Sequence, residues 1–343
     1  MDSITQFVLG AALGELVAGK KIGNKAILWG GIAGTIPDLD VVFSPLFSDL
    51  QNLSVHRGIS HSLVFAFFIA PLMAWLMRKL YRKQPEISFR TWLDVFFIGI
   101  FTHPLLDAFT LYGTQLFLPF SNYRVAFNTI SIVDPGYTLP LLFALILTII
   151  FRRRKPNLSW KLNNIGLIVA HIYFVLAITN KFYVDQKFDR ALQEQKIVPN
   201  NVMSNPVIFS NLLWCAVAKD DSMSYIGYYS ILQDKPEIKF EAFRRNEYLL
   251  SKIKDQEGVQ KLRWFSKDYF IVEEIGDSIH FFDVRFGKSN FTPSLSNEKT
   301  FIFYFKILDK ESSPLKIQQY ISRDDMNFSE FIEQLKHRIF YVD

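Results

Sequence analysis

The chain has 343 residues, 50% of them hydrophobic and 34 of them Phe, which excludes an intrinsically disordered protein and supplies apolar surface for more than one folding unit. Its formal charge of +5 falls in short basic clusters beside apolar segments, a pattern of membrane orientation rather than nucleic-acid binding, so no nucleic-acid partner is expected. The single cysteine, Cys215, excludes an intramolecular disulfide and a cysteine-based zinc knuckle.

In chain order, residues 3–18 and 26–36 are short apolar segments joined by "GKKIGNK". Each carries a small-xxx-small pair, Gly10 with Gly14 and Gly30 with Gly34, which suits a closely packed helical hairpin. No basic residue precedes the first segment, so it does not read as a secretory leader and is expected to be retained. Residues 62–80, 91–109, 134–151 and 160–180 are each close to the ~20 apolar residues a spanning helix needs, so four full spans are predicted. The basic residues orient them. Lys20, Lys21 and Lys25, then Arg78, Lys79, Arg82, Lys83 and Arg90, then Arg152, Arg153, Arg154 and Lys155 mark three connections as cytoplasmic. Residues 37–60 and 110–133, with only Arg57 and Arg124 as basic residues, fall on the opposite side.

Past about residue 181 the pattern turns polar and alternating. "DQKFDRALQEQK" predicts a polar helix, and "NLLWCAVAKDDSMSYIGYYSIL" predicts two strands around an Asp-Asp turn. A helix near 240–255, strands over 268–274, 278–286 and 300–308, and a closing amphipathic helix in "SEFIEQLKHRI" complete the reading. The expected architecture is a mainly α membrane bundle of residues 1–180, with four full spans and a short N-terminal helical hairpin, followed by a soluble α+β domain of residues 181–343. By parity of the spans, that second domain lies outside the cytoplasm.

Once the topology is drawn, the metal-capable residues of the first half fall on one face. Asp38 and Asp40 end the second short helix, and His56 and His61 precede the span at 62–80. His103 and Asp107 lie near the outward end of the next span, and Asp134 opens the one after it. Imidazole with carboxylate suits zinc or another borderline divalent ion, and seven such groups can hold two or three ions. Each motif also has a plainer reading. "PDLD" is also a helix-terminating turn, an isolated His is usually structural, and Asp134 before Pro135 is a helix start. His103 and Asp107 share a helix face at i and i+4, unless Pro104 starts a new helix. Glu15 is either a supporting group for the cluster or a partner of Lys20 or Lys21, and His171 is a packing or hydrogen-bonding residue. Arg57 and Arg124 either clamp a phosphate or meet lipid headgroups. Ser60, Ser62, Tyr112, Thr114 and Asn128 line the expected cleft.

"GTIPDLDVVF", "HRGISHS" and "HPLLDAFTLYGTQLFLPFS" together resemble the signature segments of the YdjM-like, inner-membrane-associated family assigned as metal-dependent hydrolases. "NPVIFSNLLWCAVAKDDSMSYIGYYS" resembles the extracytoplasmic extension of some members. The resemblance implies a hydrolase grouped with zinc-dependent phospholipase C and the P1-type nucleases, which cleave phosphoesters at multinuclear zinc sites. Thr5-Gln6 departs from the Thr-His found in many members, which removes one imidazole from the implied ligand set. The expectation is a multi-pass inner-membrane hydrolase that uses metal-activated water on a lipid or lipid-linked phosphoester. Asp38, Asp40, His56, His61, His103, Asp107 and Asp134 would hold the metal, and Asp38, His61 and Arg57 would act on the substrate. The rival readings are a metal-ion carrier or transporter, and a non-catalytic membrane scaffold.

Overall fold

The computed structural model describes residues 1–233, 237–288, 301–321 and 328–340. It separates into two compact units, one made of Met1–Ser44, Val55–Thr179 and Ile208–Ser210, the other of Pro45–Ser54, Asn180–Val207 and Asn211–Asp343.

The first unit is helical, and residues 45–54 and 180–194 of the helical stretch that runs to residue 194 belong to the second unit. Helices α1 (Ser3–Ile22) and α2 (Asn24–Thr35) form the hairpin, and a 3₁₀ segment, Pro37–Leu46, continues from α2. Their glycines allow backbone contact. A Cβ on Gly10 would lie 2.4 Å from the Gly30 carbonyl oxygen, and one on Gly14 would lie 2.3 Å from that of Ala26. After α3 (Asp49–Val55) and a short 3₁₀ turn, Ile59–His61, come α4 (Leu63–Leu80), α5 (Phe89–Asp107), α6 (Pro135–Phe151) and α7 (Pro156–Glu194). Ser62 caps α4 by accepting from the Phe65 amide at 3.1 Å, and Ser88 caps α5 by accepting from Thr91 at 3.2 Å. Helix α5 runs unbroken through Pro104, so His103 and Asp107 stay on one face. Ala66, Ala70 and Ala74 of α4 pack with Trp92, Val95 and Phe96 of α5 in one core, and α1 packs with Leu141 and Leu145 of α6 in another.

The four predicted spans are reduced by this geometry. Two helices, α4 and α7, are long and apolar enough to cross a membrane, and α2 with its 3₁₀ continuation makes a third if that pair, bent by 44°, is one span. Helix α6 is apolar but has only 17 residues. Helix α5, which carries Arg90, Asp94, His103 and Asp107 in its 19 residues, is not among the candidate spans.

The second unit contains two antiparallel four-stranded meanders. The first is β1 (Asn201–Pro206), β2 (Leu213–Lys219), β3 (Met223–Ser230) and β4 (Glu241–Arg244). The second is β5 (Phe270–Ile275), β6 (Ser278–Asp283), β7 (Phe303–Asp309) and β8 (Lys316–Ile321). The Asp-Asp turn is real: Asp220 Oδ1 accepts from the amides of Ser222 and Met223, both at 2.7 Å, and closes the β2–β3 hairpin. Strand β2 is buried on both faces rather than alternating, with Trp214 and Ala216 packed against Val184 and Phe188 of α7. The helix expected near 240–255 is absent. Residues 241–244 pair with β3, a 3₁₀ turn occupies Glu247–Lys252, and α8 (Gln256–Phe265) begins only after Asp255 caps it. Strand pairing and the left-handed Asn246, with φ +50°, override the helical propensity of "EAFRRNEYLL". Helix α9 (Phe328–Phe340) closes the chain as its apolar periodicity predicts, and residue 300 of the last predicted strand lies outside the described residues.

Candidate metal centre

Four of the seven predicted ligands meet. Asp38, at the start of the 3₁₀ continuation of α2, joins His61 from the turn before α4, and His103 and Asp107 from the end of α5. One donor atom from each lies within 4.8 Å of the others, and His61, His103 and Asp107 are fully buried. Among the described residues this is the one such group.

Backbone and hydroxyl contacts decide which imidazole nitrogen each histidine presents. The Gly34 carbonyl can only accept, so His103 Nδ1, 2.6 Å away, must donate to it and leaves Nε2 with a free lone pair. His61 Nδ1 lies 3.0 Å from Ser60 Oγ, whose hydroxyl donates to Asp40 Oδ2 at 3.2 Å, and Asp40 Oδ2 itself lies 3.5 Å from that nitrogen. These acceptors draw the His61 proton to Nδ1 as well. The two Nε2 atoms then face each other at 3.1 Å, an arrangement of opposed lone pairs that a cation between them relieves.

A regular tetrahedron with metal–ligand bonds of ~2.0–2.1 Å has edges of roughly 3.3–3.4 Å. The separations here are 3.4 and 3.3 Å from Asp38 Oδ1 to the Nε2 of His61 and His103, and 3.4 and 3.7 Å from Asp107 Oδ2 to the same atoms. Asp107 Oδ2 is fully buried yet accepts no hydrogen bond, while its other oxygen, Oδ1, accepts from Gln6 Nε2 at 3.0 Å and from the buried Met1 ammonium. A buried carboxylate oxygen left without a donor is costly unless a cation meets it, and the Arg57 guanidinium 3.2 Å away brings charge without an aligned hydrogen bond. The donor set therefore fits a single divalent ion.

The remaining three predicted ligands stand elsewhere. Asp40 and His56 form an outer layer: Asp40 Oδ1 lies 3.2 Å from His56 Nδ1, and Asp40 Oδ2 accepts from the Arg57 amide at 3.0 Å. Asp134 is not brought into the group. Its Oδ1 caps α6 through the amides of Gly136 at 3.0 Å and Tyr137 at 3.4 Å, and accepts from the Tyr173 hydroxyl at 2.7 Å. An Asp directly before a Pro at the first helical position is an N-cap by local chemistry, and that use prevails.

Arg57, buried and left-handed at φ +55°, places Nε 3.2 Å from Asp107 Oδ2 and donates from Nη1 to Thr110 Oγ1 at 3.1 Å. Arg124, also buried, donates from Nη2 to the Gly113 carbonyl at 3.0 Å. Glu15 pairs with Arg152 rather than with Lys20 or Lys21, and Arg152 also donates to the Gly19 carbonyl at 3.1 Å, at the far end of α1. Gln6 and the Gly34 carbonyl touch the site without having been singled out as supports from the residues alone. Only the departure at Thr5-Gln6 pointed there.

Residues 1–184 match the family described as YdjM inner membrane protein. The chain is 31% identical over 143 residues to "Uncharacterized protein YfhP" of Bacillus subtilis (strain 168), covering 39% of this chain and 42% of that protein. It is 31% identical over 110 residues to "Inner membrane protein YbcI" of Escherichia coli (strain K12), covering 32% of this chain and 61% of that protein. The chain thus spans less than two thirds of either relative's length. No solved structure matches it. With more than half of its length covered by that match, the chain belongs to the YdjM inner membrane protein family.

Proposed function

We propose that this protein is a membrane-embedded metal-dependent hydrolase that cleaves a phosphoester of a lipid or lipid-linked substrate. The observation that carries the reading is the fully buried Asp107 Oδ2, which accepts no hydrogen bond and stands at tetrahedral-edge distance from two imidazole nitrogens. Two imidazoles and two carboxylates suit Zn²⁺. When bound, such an ion supplies Lewis acidity toward a phosphoryl oxygen and acidifies a water molecule. Asp40 orients His61, Gln6 holds Asp107 so that Oδ2 faces the imidazoles, and Arg57 sets a positive charge beside that oxygen. Asp38 has a side chain 17% exposed where the other three ligands are at 0%, so solvent and substrate approach from its side.

The segments that carry the site also carry exposed apolar side chains. Leu39, Val41, Val42 and Phe43 follow Asp38, Ile59 precedes His61, and Phe120 lies on the loop that holds Arg124. Exposed apolar surface of this kind suits contact with acyl chains and supports a substrate presented from a bilayer. The basic connections, read as cytoplasmic, support a centre at the outer face of the inner membrane.

A second reading has one observation in its favour. Four protein donors within 4.8 Å of one another also describe a closed structural site, which would make the centre a fastener in a non-catalytic scaffold. Elemental analysis of the purified protein, with turnover of phospholipid and phosphodiester substrates, separates the two. Stoichiometric zinc with turnover that disappears in His61→Ala supports the hydrolase. Stoichiometric zinc without turnover moves the assignment to the scaffold, and zinc-free protein overturns both.

A further inference from the structure

We propose that Arg57 and Arg124, gathered on the ring of Tyr112, form an oxyanion subsite beside the metal centre that takes the phosphate group of the substrate. The proposal rests on the metal-centre reading above. It adds which residues bind the anion, and that the ligand must carry one.

Tyr112 is the hub of this arrangement. The guanidinium carbons of Arg57 and Arg124 lie over its ring at 4.9 and 5.0 Å from the centroid, and the His56 ring packs edge-on to it at 5.3 Å. The two guanidiniums can be no farther apart than those first two distances laid end to end. Both arginines are buried, at 5% and 2% exposure. Arg57 also reaches the centre itself through Asp107 Oδ2 at 3.2 Å, so the subsite and the metal ligands share an atom.

Charge supplies the next step. The carboxylates of Asp38, Asp40 and Asp107 bring three negative charges, whereas a divalent ion with Arg57 and Arg124 brings four positive ones, beside the Met1 ammonium that already pairs with Asp107. A buried site with an excess positive charge is stabilised by an anion in reach of both guanidiniums, and the planar guanidinium fork matches phosphate oxygens bidentately.

Local structure agrees with a built site. Arg57 adopts the left-handed region at φ +55°, a conformation that a non-glycine residue holds only when its surroundings require it. Its carbonyl accepts from the Gln115 amide at 3.2 Å, and the Thr114–Val125 bridge holds the loop carrying Tyr112 and Arg124 against it. The plainer role of Arg124, closing that loop through the Gly113 carbonyl, needs a donor but not a cation. Thr114, on the same loop, is fully buried with a hydroxyl that has no hydrogen-bond partner among the described residues.

The test is equilibrium binding by the zinc-loaded, full-length protein in nanodiscs, with zinc content measured on the same samples. The probes are inorganic phosphate and dihexanoyl phosphatidic acid, and the variants are Arg124→Gln and Arg124→Lys. Wild-type zinc content with phosphate affinity weakened about tenfold in Arg124→Gln is the expected result, and Arg124→Lys falls between because it keeps the charge and loses the fork. Should Arg124→Gln fail to fold, the Lys variant alone decides, since a loop-closing role predicts no change in phosphate affinity. Tighter binding of the lipid than of inorganic phosphate supports a headgroup as the source of the anion, and equal binding supports the subsite with free phosphate. Unchanged affinity in both variants at full zinc content overturns the subsite and leaves the metal centre standing, whereas zinc-free wild-type protein overturns both.

Discussion

The two units use the same charged residue types in opposite ways. In the sheet unit, charges are many and answered. Asp268 takes Lys219 Nζ at 2.9 Å, Arg245 Nη2 at 3.0 Å and Arg263 Nε at 2.8 Å, and the buried Asp283 is met on both oxygens by Arg285. In the helical unit charges are few, and Asp107 keeps a buried oxygen that accepts no hydrogen bond. Burial alone does not separate function from structure, because Asp283 and Asp107 are equally inaccessible. What separates them is that Asp283 has both oxygens met by one guanidinium, whereas Asp107 keeps one oxygen without a hydrogen bond at 3.4 and 3.7 Å from two imidazole nitrogens, and Glu15, buried in the helical unit, is paired with Arg152.

The sharpest way to break this contrast is to remove an unsatisfied group and a satisfied one and compare. Asp107→Ala or His61→Ala should lower bound metal more than ~100-fold, since each deletes one of four donors and leaves the neighbouring charge buried without its partner. Metal content equal to wild type in both variants would remove them from the ligand set. Asp40→Asn should act through His61 rather than on the ion, weakening metal affinity by roughly 10–100-fold, the range of supporting groups around ligating histidines. Competition with a zinc chelator measures both effects on one scale. If Asp40→Asn matches His61→Ala in size, Asp40 is itself a ligand and the inner and outer layers drawn here merge.

Much of the centre could be read before any coordinates. His61, His103, Asp107 and Asp38 stand out because imidazoles and acids are expensive near hydrocarbon, and because the basic connections put them on one predicted face. What could not be read is which acids come within reach of the imidazoles. Asp40, Asp134 and Asp38 all end or begin a helix, and capping and coordination call for the same carboxylate. Only three-dimensional proximity decides, and it gives Asp134 to the α6 amides and Asp40 to His56, Ser60 and the Arg57 amide. The helix wrongly expected near 240–255 has the related cause that a four-residue edge strand leaves little periodicity to find. The glycines of α1 and α2, by contrast, read correctly, because backbone contact tolerates no side chain.

That glycine contact also sharpens the comparison, for it fixes α2 closely against α1 in the helical unit. Gly30→Ala would push a methyl to 2.4 Å from the Gly10 carbonyl oxygen. The two helices must separate, at a cost of about 1–3 kcal/mol by overpacking. Helix α2 carries both Asp38, just past its end, and the Gly34 carbonyl that fixes His103. The expected outcome is a lower Tm in detergent together with weaker zinc binding. A drop in Tm with zinc affinity unchanged would show that the hairpin positions neither group.

The smallest effect belongs to a satisfied charge. Burial raises the pKa of the Asp268 carboxyl, but the Lys219 ammonium with Arg245 and Arg263 outweighs it and holds the group below its ordinary value. A depressed folded-state pKa means that the unfolded chain binds the proton more readily. The stabilisation is therefore fully present above the ordinary carboxylate pKa of about 3.9, and it is lost as pH falls through the lower folded value. Asp268→Asn is a clean probe because Asp268 sits at φ +64°, a left-handed conformation that Asn adopts as readily, so the change removes charge without adding backbone strain. With the side chain 32% exposed, the loss at pH 7 should be about 1–2 kcal/mol, read as a lower Tm for the sheet unit by calorimetry of the full chain. Scanned from pH 7 downward, wild type and variant should converge once the carboxyl protonates. A gap that persisted undiminished at the acid end would mean that the carboxylate's charge is not what steadies the turn, and the contrast between the two units would lose its structural half.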